Sequence, residues 1–289
     1  IDPYDSEMGD PEDFSRRIAG NIATILREES YFGKVRNPVD GSYYIEKVTE
    51  QLAENGLLLF KEVEKKGGFF KGVETEFIQN KIALVRTTRV KLLSRRRKAL
   101  VGVNKYPNLM EKLNPEVLCK DISESSSKLL KPRRAGLELE VIRSKTEAFV
   151  ADRGYRPVVE FASFGNLAMR KARAGFAFDF LGVGGYEMEE EKSYSSAKIA
   201  AETSASSSSD IVVICSSDQD YVDSALEFVK TFRAINTNKV LILAGCPDSV
   251  MEKLKDAGLD TCIHVRSDIL DTLEFIHNKI SKTSKTLKI

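Results

Sequence analysis

The sequence predicts an α/β protein, helical in its N-terminal part and then a doubly wound parallel sheet. Three observations predict it. Before Tyr106 the apolar residues recur at helical spacing. After Pro157 near-continuous apolar runs alternate with helical stretches. Between them, Pro107 to Pro132 is polar and irregular.

Pro11-Glu12-Asp13 precedes Phe14, Ile18, Ile22, Ile25 and Leu26, which share one helical face, so a first helix is expected there. Gly33, Asn37-Pro38 and Asp40-Gly41 form a turn-rich break before a second helix over Ile45 to Lys65. Gly67-Gly68 ends it, since glycine takes the left-handed cap without a Cβ clash. A third helix is expected from Glu74 to Leu92. The basic run Arg95-Arg96-Arg97-Lys98 and a short strand at Leu100-Val101-Gly102-Val103 follow. Beyond the polar tract at Ser123 to Lys128 another helix is expected at about Ala135 to Ala151. The expected division is a helical segment over 1–108, a linker over 109–156 and a sheet domain over 157–289.

In that last part, Val158 to Ala162, Ile211 to Cys215, Val240 to Ala244 and, more weakly, Thr261 to Val265 suit parallel strands buried on both faces. Gly185 to Met188 adds a short strand. Helical stretches at Leu167 to Leu181, Tyr221 to Ile235, Ser249 to Ala257 and Ile269 to Ile280 supply the crossovers. The pattern is that of a flavodoxin-like, doubly wound five-stranded parallel sheet. Ser204 to Ser209 reads as a low-complexity loop.

Composition narrows the function classes. Lys+Arg total 44 and Asp+Glu 43, so no global field favours nucleic acid or acidic lipid. No run of about 18 apolar residues suggests a membrane span. The opening Ile1-Asp2-Pro3-Tyr4-Asp5-Ser6-Glu7 is acidic and lacks the apolar core of a secretory leader. Cys119, Cys215, Cys246 and Cys262 show no CxxC spacing, so buried free thiols in a reducing compartment, the cytoplasm or an equivalent matrix, are expected. His264 and His277 lack partners at ligand spacing, so no metal is expected. Gly182-Val183-Gly184-Gly185 follows a helix, the reverse of a phosphate-binding fingerprint. Asp218-Gln219-Asp220 has no base or nucleophile beside it. The Arg95 to Lys98 run has no interleaved aromatics and reads as a solvated helix face or subunit contact.

Several separated strings carry a family resemblance. They are Phe14-Ser15-Arg16-Arg17-Ile18-Ala19-Gly20-Asn21, Leu26-Arg27-Glu28-Glu29-Ser30, Asp40-Gly41-Ser42-Tyr43-Tyr44-Ile45-Glu46, Gly67-Gly68 and Val101-Gly102-Val103-Asn104-Lys105-Tyr106. In order and spacing the chain resembles methylmalonyl-CoA mutases, with Gly20 standing where that family usually has Arg. There an acyl-CoA-binding TIM barrel precedes a cobalamin-binding domain. The resemblance therefore implies barrel-closing helices, a linker and the C-terminal domain. Catalytic subunits carry Asp-x-His-x-x-Gly after the first strand; the His coordinates cobalt and the Asp orients its ring. The equivalent stretch, Phe164-Gly165-Asn166-Leu167-Ala168-Met169-Arg170, has neither residue.

The string Lys171 to Leu181 with Gly184-Gly185, and Cys215-Ser216-Ser217-Asp218-Gln219-Asp220-Tyr221, look instead like the small, non-catalytic subunit. The resemblance then implies a subunit of the isomerase that interconverts methylmalonyl-CoA and succinyl-CoA. The large subunit would be its heterodimer partner and would hold adenosylcobalamin, with no cofactor or catalytic residue on this chain. Ser216 and Ser217 match paired serines of the cobalamin nucleotide-tail pocket, and Gly245 a glycine under that tail. They are expected as a relic pocket, with Ser or Asp capping the helix at Tyr221. The apolar residues Leu167, Met169, Phe176, Phe178 and Phe180 are expected to fill the space near it. The alternative reading is a free-standing, degenerate cobalamin-domain module for binding or interaction.

Overall fold

The computed structural model describes residues 1–6, 10–111, 130 and 133–283. They fall into two compact units, one chiefly of Ile1–Arg86 and one of residues from Thr87 onward. The first contains α1 (Asp13–Glu28), α2 (Tyr43–Lys65), α3 (Gly68–Glu74) and the start of α4 (Phe77–Ser94). Gly67 at φ +96° and Gly68 at φ +85° turn α2 into α3, a conformation that costs glycine nothing sterically. The helix expected from Glu74 to Leu92 starts at Phe77 instead, because Glu76 takes φ +62° between α3 and α4.

Among the described residues of 1–86 only Ser15, Ala19 and Gly72 are buried. The apolar stripe of α1 lies open instead: Phe14 is 64% exposed, and Ile18, Ile22 and Leu26 continue it. An amphipathic helix gains stability by covering such a stripe, and here the stripe is uncovered.

The second unit is built on the sheet. α5 (Leu137–Arg153) precedes β1 (Val158–Ser163), α6 (Leu167–Gly182), β2 (Glu187–Met188), β3 (Lys192–Ser193) and α7 (Ala197–Ser206). After β4 (Ile211–Cys215) comes one turn at Asp218–Asp220, a π-helical stretch Tyr221–Ala225 and then α8 (Leu226–Ile235). β5 (Val240–Ala244), α9 (Met251–Asp256), β6 (Thr261–Ile263) and α10 (Ile269–Thr283) complete it. All pairings are parallel in the order β2-β1-β4-β5-β6, with β3 also on β1. β2 lies beside Val158-Val159 and β3 beside Ala162-Ser163, so together they form one interrupted edge strand. Counted so, the order is flavodoxin-like, as expected.

Side chains alternate across the sheet. Val159, Phe161, Val213 and Ile242 face α5, α6 and α10, while Ala162, Val212, Ile214, Leu241 and Leu243 face α7, α8 and α9. α5 falls within the segment read as a linker, much of which lies outside the described residues; Leu139, Ile142 and Phe149 nonetheless belong to the core on the sheet.

Three expectations are corrected. Leu100 to Val103 forms a turn with one bridge, Val101 to Lys105, rather than a strand. The buried Asn104 amide donates to the Leu93 and Lys98 carbonyls at 2.9 Å each and accepts the Leu100 N–H at 2.7 Å, occupying groups a strand would pair. The Ser204 to Ser209 tract is no low-complexity loop. Its first residues end α7, and its hydroxyls surround the fully buried Glu160 carboxylate of β1: Ser204 at 2.9 Å, Ser207 at 2.5 Å and Ser209 at 3.2 Å, joined by Tyr194 at 3.1 Å. Lys192 stands 3.7 Å from the same carboxylate, and the Lys239 ammonium donates to the Ser204 and Ser207 carbonyls at 2.7 and 2.6 Å. A buried charge requires such a shell.

The third correction concerns cysteine. Cys215 is free and buried as expected, and Cys119 lies outside the described residues, but Cys246 and Cys262 form a disulfide. The pairing follows from register. β6 sets Cys262 beside Leu243, and Gly245 N–H bonds to the Ile263 carbonyl at 2.8 Å, which returns Cys246 to β6 with Cα atoms 5.7 Å apart. Closing a short loop of this kind stabilises by about 3 kcal/mol. Cys246→Ser should therefore lower the urea midpoint of oxidised protein and leave that of fully reduced protein unchanged. Equal midpoints in both conditions would argue against the bond.

Candidate functional site

The carboxyl ends of β4 and β5 bring the three candidate residues around one side chain, Tyr221. Its phenol oxygen accepts the buried Ser216 N–H at 2.8 Å and lies 2.8 Å from the Ala244 carbonyl and 3.1 Å from that of Ile214. Tyr221 is fully buried, and burial pushes its phenol far above the usual value. It thus ties the loop after β4 to the end of β5. Tyr221→Phe would leave the Ser216 N–H without its acceptor, at a cost of about 1–3 kcal/mol in urea unfolding. An unchanged midpoint would show that the bond contributes nothing.

Ser217 caps the helix that follows. Its Oγ accepts the Asp220 N–H at 3.1 Å while the Asp220 carboxylate accepts the Ser217 N–H at 3.3 Å, a reciprocal capping box. The Asp220 carboxylate also receives the Asn166 N–H at 3.2 Å and contacts the Ser217 and Ser216 hydroxyls at 2.7 and 2.8 Å. These bonds, that from Ser217 foremost, hold its carboxyl below the usual value. Gly165, at φ +74°, has no room for a side chain, since a Cβ would lie 2.3 Å from Asp220 Oδ2 and 2.8 Å from Ser216 Oγ. The loop from β1 to α6 is therefore drawn onto the serine loop.

The cover over Gly245 is polar, which corrects the expectation of apolar filling. A Cβ on Gly245 would meet the Arg173 guanidinium at 3.0 Å and the Tyr221 ring at 3.2 Å. Arg173, from α6, is fixed by Asp218 at 2.8 Å. Leu167 is 56% exposed and Met169 partly so, Phe178 packs its ring against Phe161 with centroids 6.1 Å apart, and Phe176 and Phe180 pack with Ala174 and Ala177 in the core on the sheet. The small alanines let α6 close on the sheet, and the arginine on the same helix reaches the glycine. Between β1 and α6 stand only Phe164, Gly165 and Asn166; Phe164 is buried and Asn166 caps α6 through the Met169 N–H at 3.1 Å.

Sequence reasoning named Ser216, Ser217 and Gly245 and a Ser or Asp cap before Tyr221, but gave no part to Arg173 or to the Tyr221 phenol. Asp220 carried a signal, three residues after a serine at a strand end. No cluster of three or more His, Cys, Asp or Glu residues able to hold a metal occurs among the described residues. Nor is any described helix long and apolar enough to cross a membrane.

Comparison with known proteins gives the family. The family model described as methylmalonyl-CoA mutase matches residues 1–145. The methylmalonyl-CoA mutase small subunit of Porphyromonas gingivalis is 33% identical over 282 residues, 96% of this chain and 44% of that protein. The small subunit of Streptomyces virginiae is 31% identical over 94% of this chain and 43% of its own length. A methylmalonyl-CoA mutase of Rhizobium meliloti is 42% identical over 103 residues, 36% of this chain and 14% of its own. The chain thus spans less than half the length of these relatives.

Proposed function

The chain belongs to the methylmalonyl-CoA mutase family, and from that premise we propose that it acts as a small subunit of the enzyme. In this reading it supports the adenosylcobalamin-dependent isomerisation of methylmalonyl-CoA and succinyl-CoA in a large-subunit partner, and neither catalyses nor holds the cofactor itself. One observation carries the reading: Arg173 and Tyr221 cover Gly245, beside a β1–α6 loop whose only side chains are those of Phe164 and Asn166. These residues do not fit cobalamin, for the loop offers no imidazole for cobalt and the small-residue platform lies under a guanidinium and a phenol. The open α1 stripe supports a partner surface, such as the wall of a barrel; a free-standing module would leave it facing water.

Adenosylcobalamin titrated into the chain alone is expected to keep its free spectrum. A spectrum of histidine-coordinated, base-off cobalamin, appearing with micromolar affinity, would overturn the proposal.

A further inference from the structure

The basic run at Arg95 to Lys98 does more than face solvent. With the 96–105 turn, Phe176 of α6 and the loop after β6, it encloses a cleft of about 250 Å³ lined by Arg95, Arg97, Lys105, His264 and Phe176 among others, with no carboxylate in its wall. The turn is rigidly set. Arg96, also in the wall, is bound to Asp179 and lies over the Phe176 and Phe180 rings, so its charge is matched. Asp179 accepts the Tyr106 N–H at 2.7 Å as well. Asp268, beside the cleft, is taken up by the Ser94 hydroxyl at 2.5 Å and the Leu270 N–H at 3.1 Å.

What remains free is all donor. The Arg95 and Arg97 side chains make no ion pair or hydrogen bond among the described residues, and Lys105 meets only the Tyr106 ring at 5.3 Å. His264 Nδ1 accepts the Arg266 N–H at 3.1 Å, which leaves the ring proton on Nε2 as a further donor. Two guanidiniums, an ammonium and an imidazole N–H around an acid-free hollow suit a ligand that only accepts and carries several negative charges. Arginine forks match phosphoryl oxygens in pairs. The hollow is smaller than the roughly 300 Å³ at which pockets for drug-sized molecules begin. We propose that this cleft binds a diphosphate group, free or borne by a nucleotide.

The test is calorimetric titration of the full chain with inorganic pyrophosphate, with ADP, and with malonate at matched ionic strength, alongside NMR of the two histidine rings. Saturable one-site binding of pyrophosphate or ADP that shifts the His264 ring and not His277 is expected, and the tighter of the two identifies the source. Arg97→Ala and Lys105→Ala alter exposed side chains and should each weaken binding at least fivefold without moving the thermal midpoint. Overturning results would be non-saturable binding, malonate binding as tightly as pyrophosphate, or affinity untouched by both substitutions.

Discussion

Replacing Glu160 by Ala is expected to destabilise the sheet unit by about 3–5 kcal/mol, the range for removing one member of a buried charge network. The carboxylate lies at the centre of Ser204, Ser207, Ser209 and Tyr194, with Lys192 at 3.7 Å. Without it the hydroxyls and the nearby Lys239 ammonium keep their burial and lose their shared acceptor or counter-charge. Glu160→Gln, which retains an acceptor, should cost less. The pH dependence has a definite sign. Burial alone raises the Glu160 carboxyl, but hydrogen bonds from Ser207 and Ser204, the Lys192 charge and Tyr194 outweigh it and hold the group below its ordinary value of 4.5. Its stabilisation is therefore complete above that value and is lost as pH falls through the lower folded one. Urea unfolding at neutral and acid pH checks both points. A wild-type loss on acidification that matches the Gln variant's would show that Glu160 contributes none of it.

The second large effect concerns association. Ile18→Glu together with Ile22→Glu places two carboxylates on the exposed apolar stripe of α1. Because both isoleucines are exposed, helix content and thermal midpoint should hardly change. If the stripe packs on a partner, burying two uncompensated charges should weaken association well beyond tenfold, which corresponds to about 1.4 kcal/mol. Unchanged affinity would place the interface elsewhere on the chain.

Much of the fold was legible because it rests on continuous apolar runs. Ile211 to Cys215 and Val240 to Ala244 are strands because both of their faces are buried, and nothing else accommodates such runs so well. α7 was missed for the opposite reason. It buries Ala197, Ala200, Ala201 and Ala205, side chains too small to raise a periodic signal, and it ends in serines that resemble a loop. Those serines answer to a glutamate on β1, and no local pattern announces a contact more than forty residues away in sequence. β3 is two polar residues on an edge, too short to stand out. The Cys246–Cys262 pair depends on the register of β5 against β6, so sixteen residues of separation carried no signature. At the site, the strand ends placed Ser216, Ser217 and Gly245 correctly beside one another. The cover escaped notice because an arginine among apolar helix residues carries no local signal of where it points, whereas Asp218 and the bare glycine draw Arg173 inward.

The most direct measurement is size-exclusion chromatography with light scattering on this chain mixed with the mutase large subunit of its own organism, at about 10 µM of each, where a complex tighter than micromolar persists. The small-subunit reading expects one peak at the summed mass, carrying both chains in equal amounts, and its loss in the Ile18→Glu, Ile22→Glu variant. Two separate peaks with the wild-type chain, each at its own mass, would contradict it.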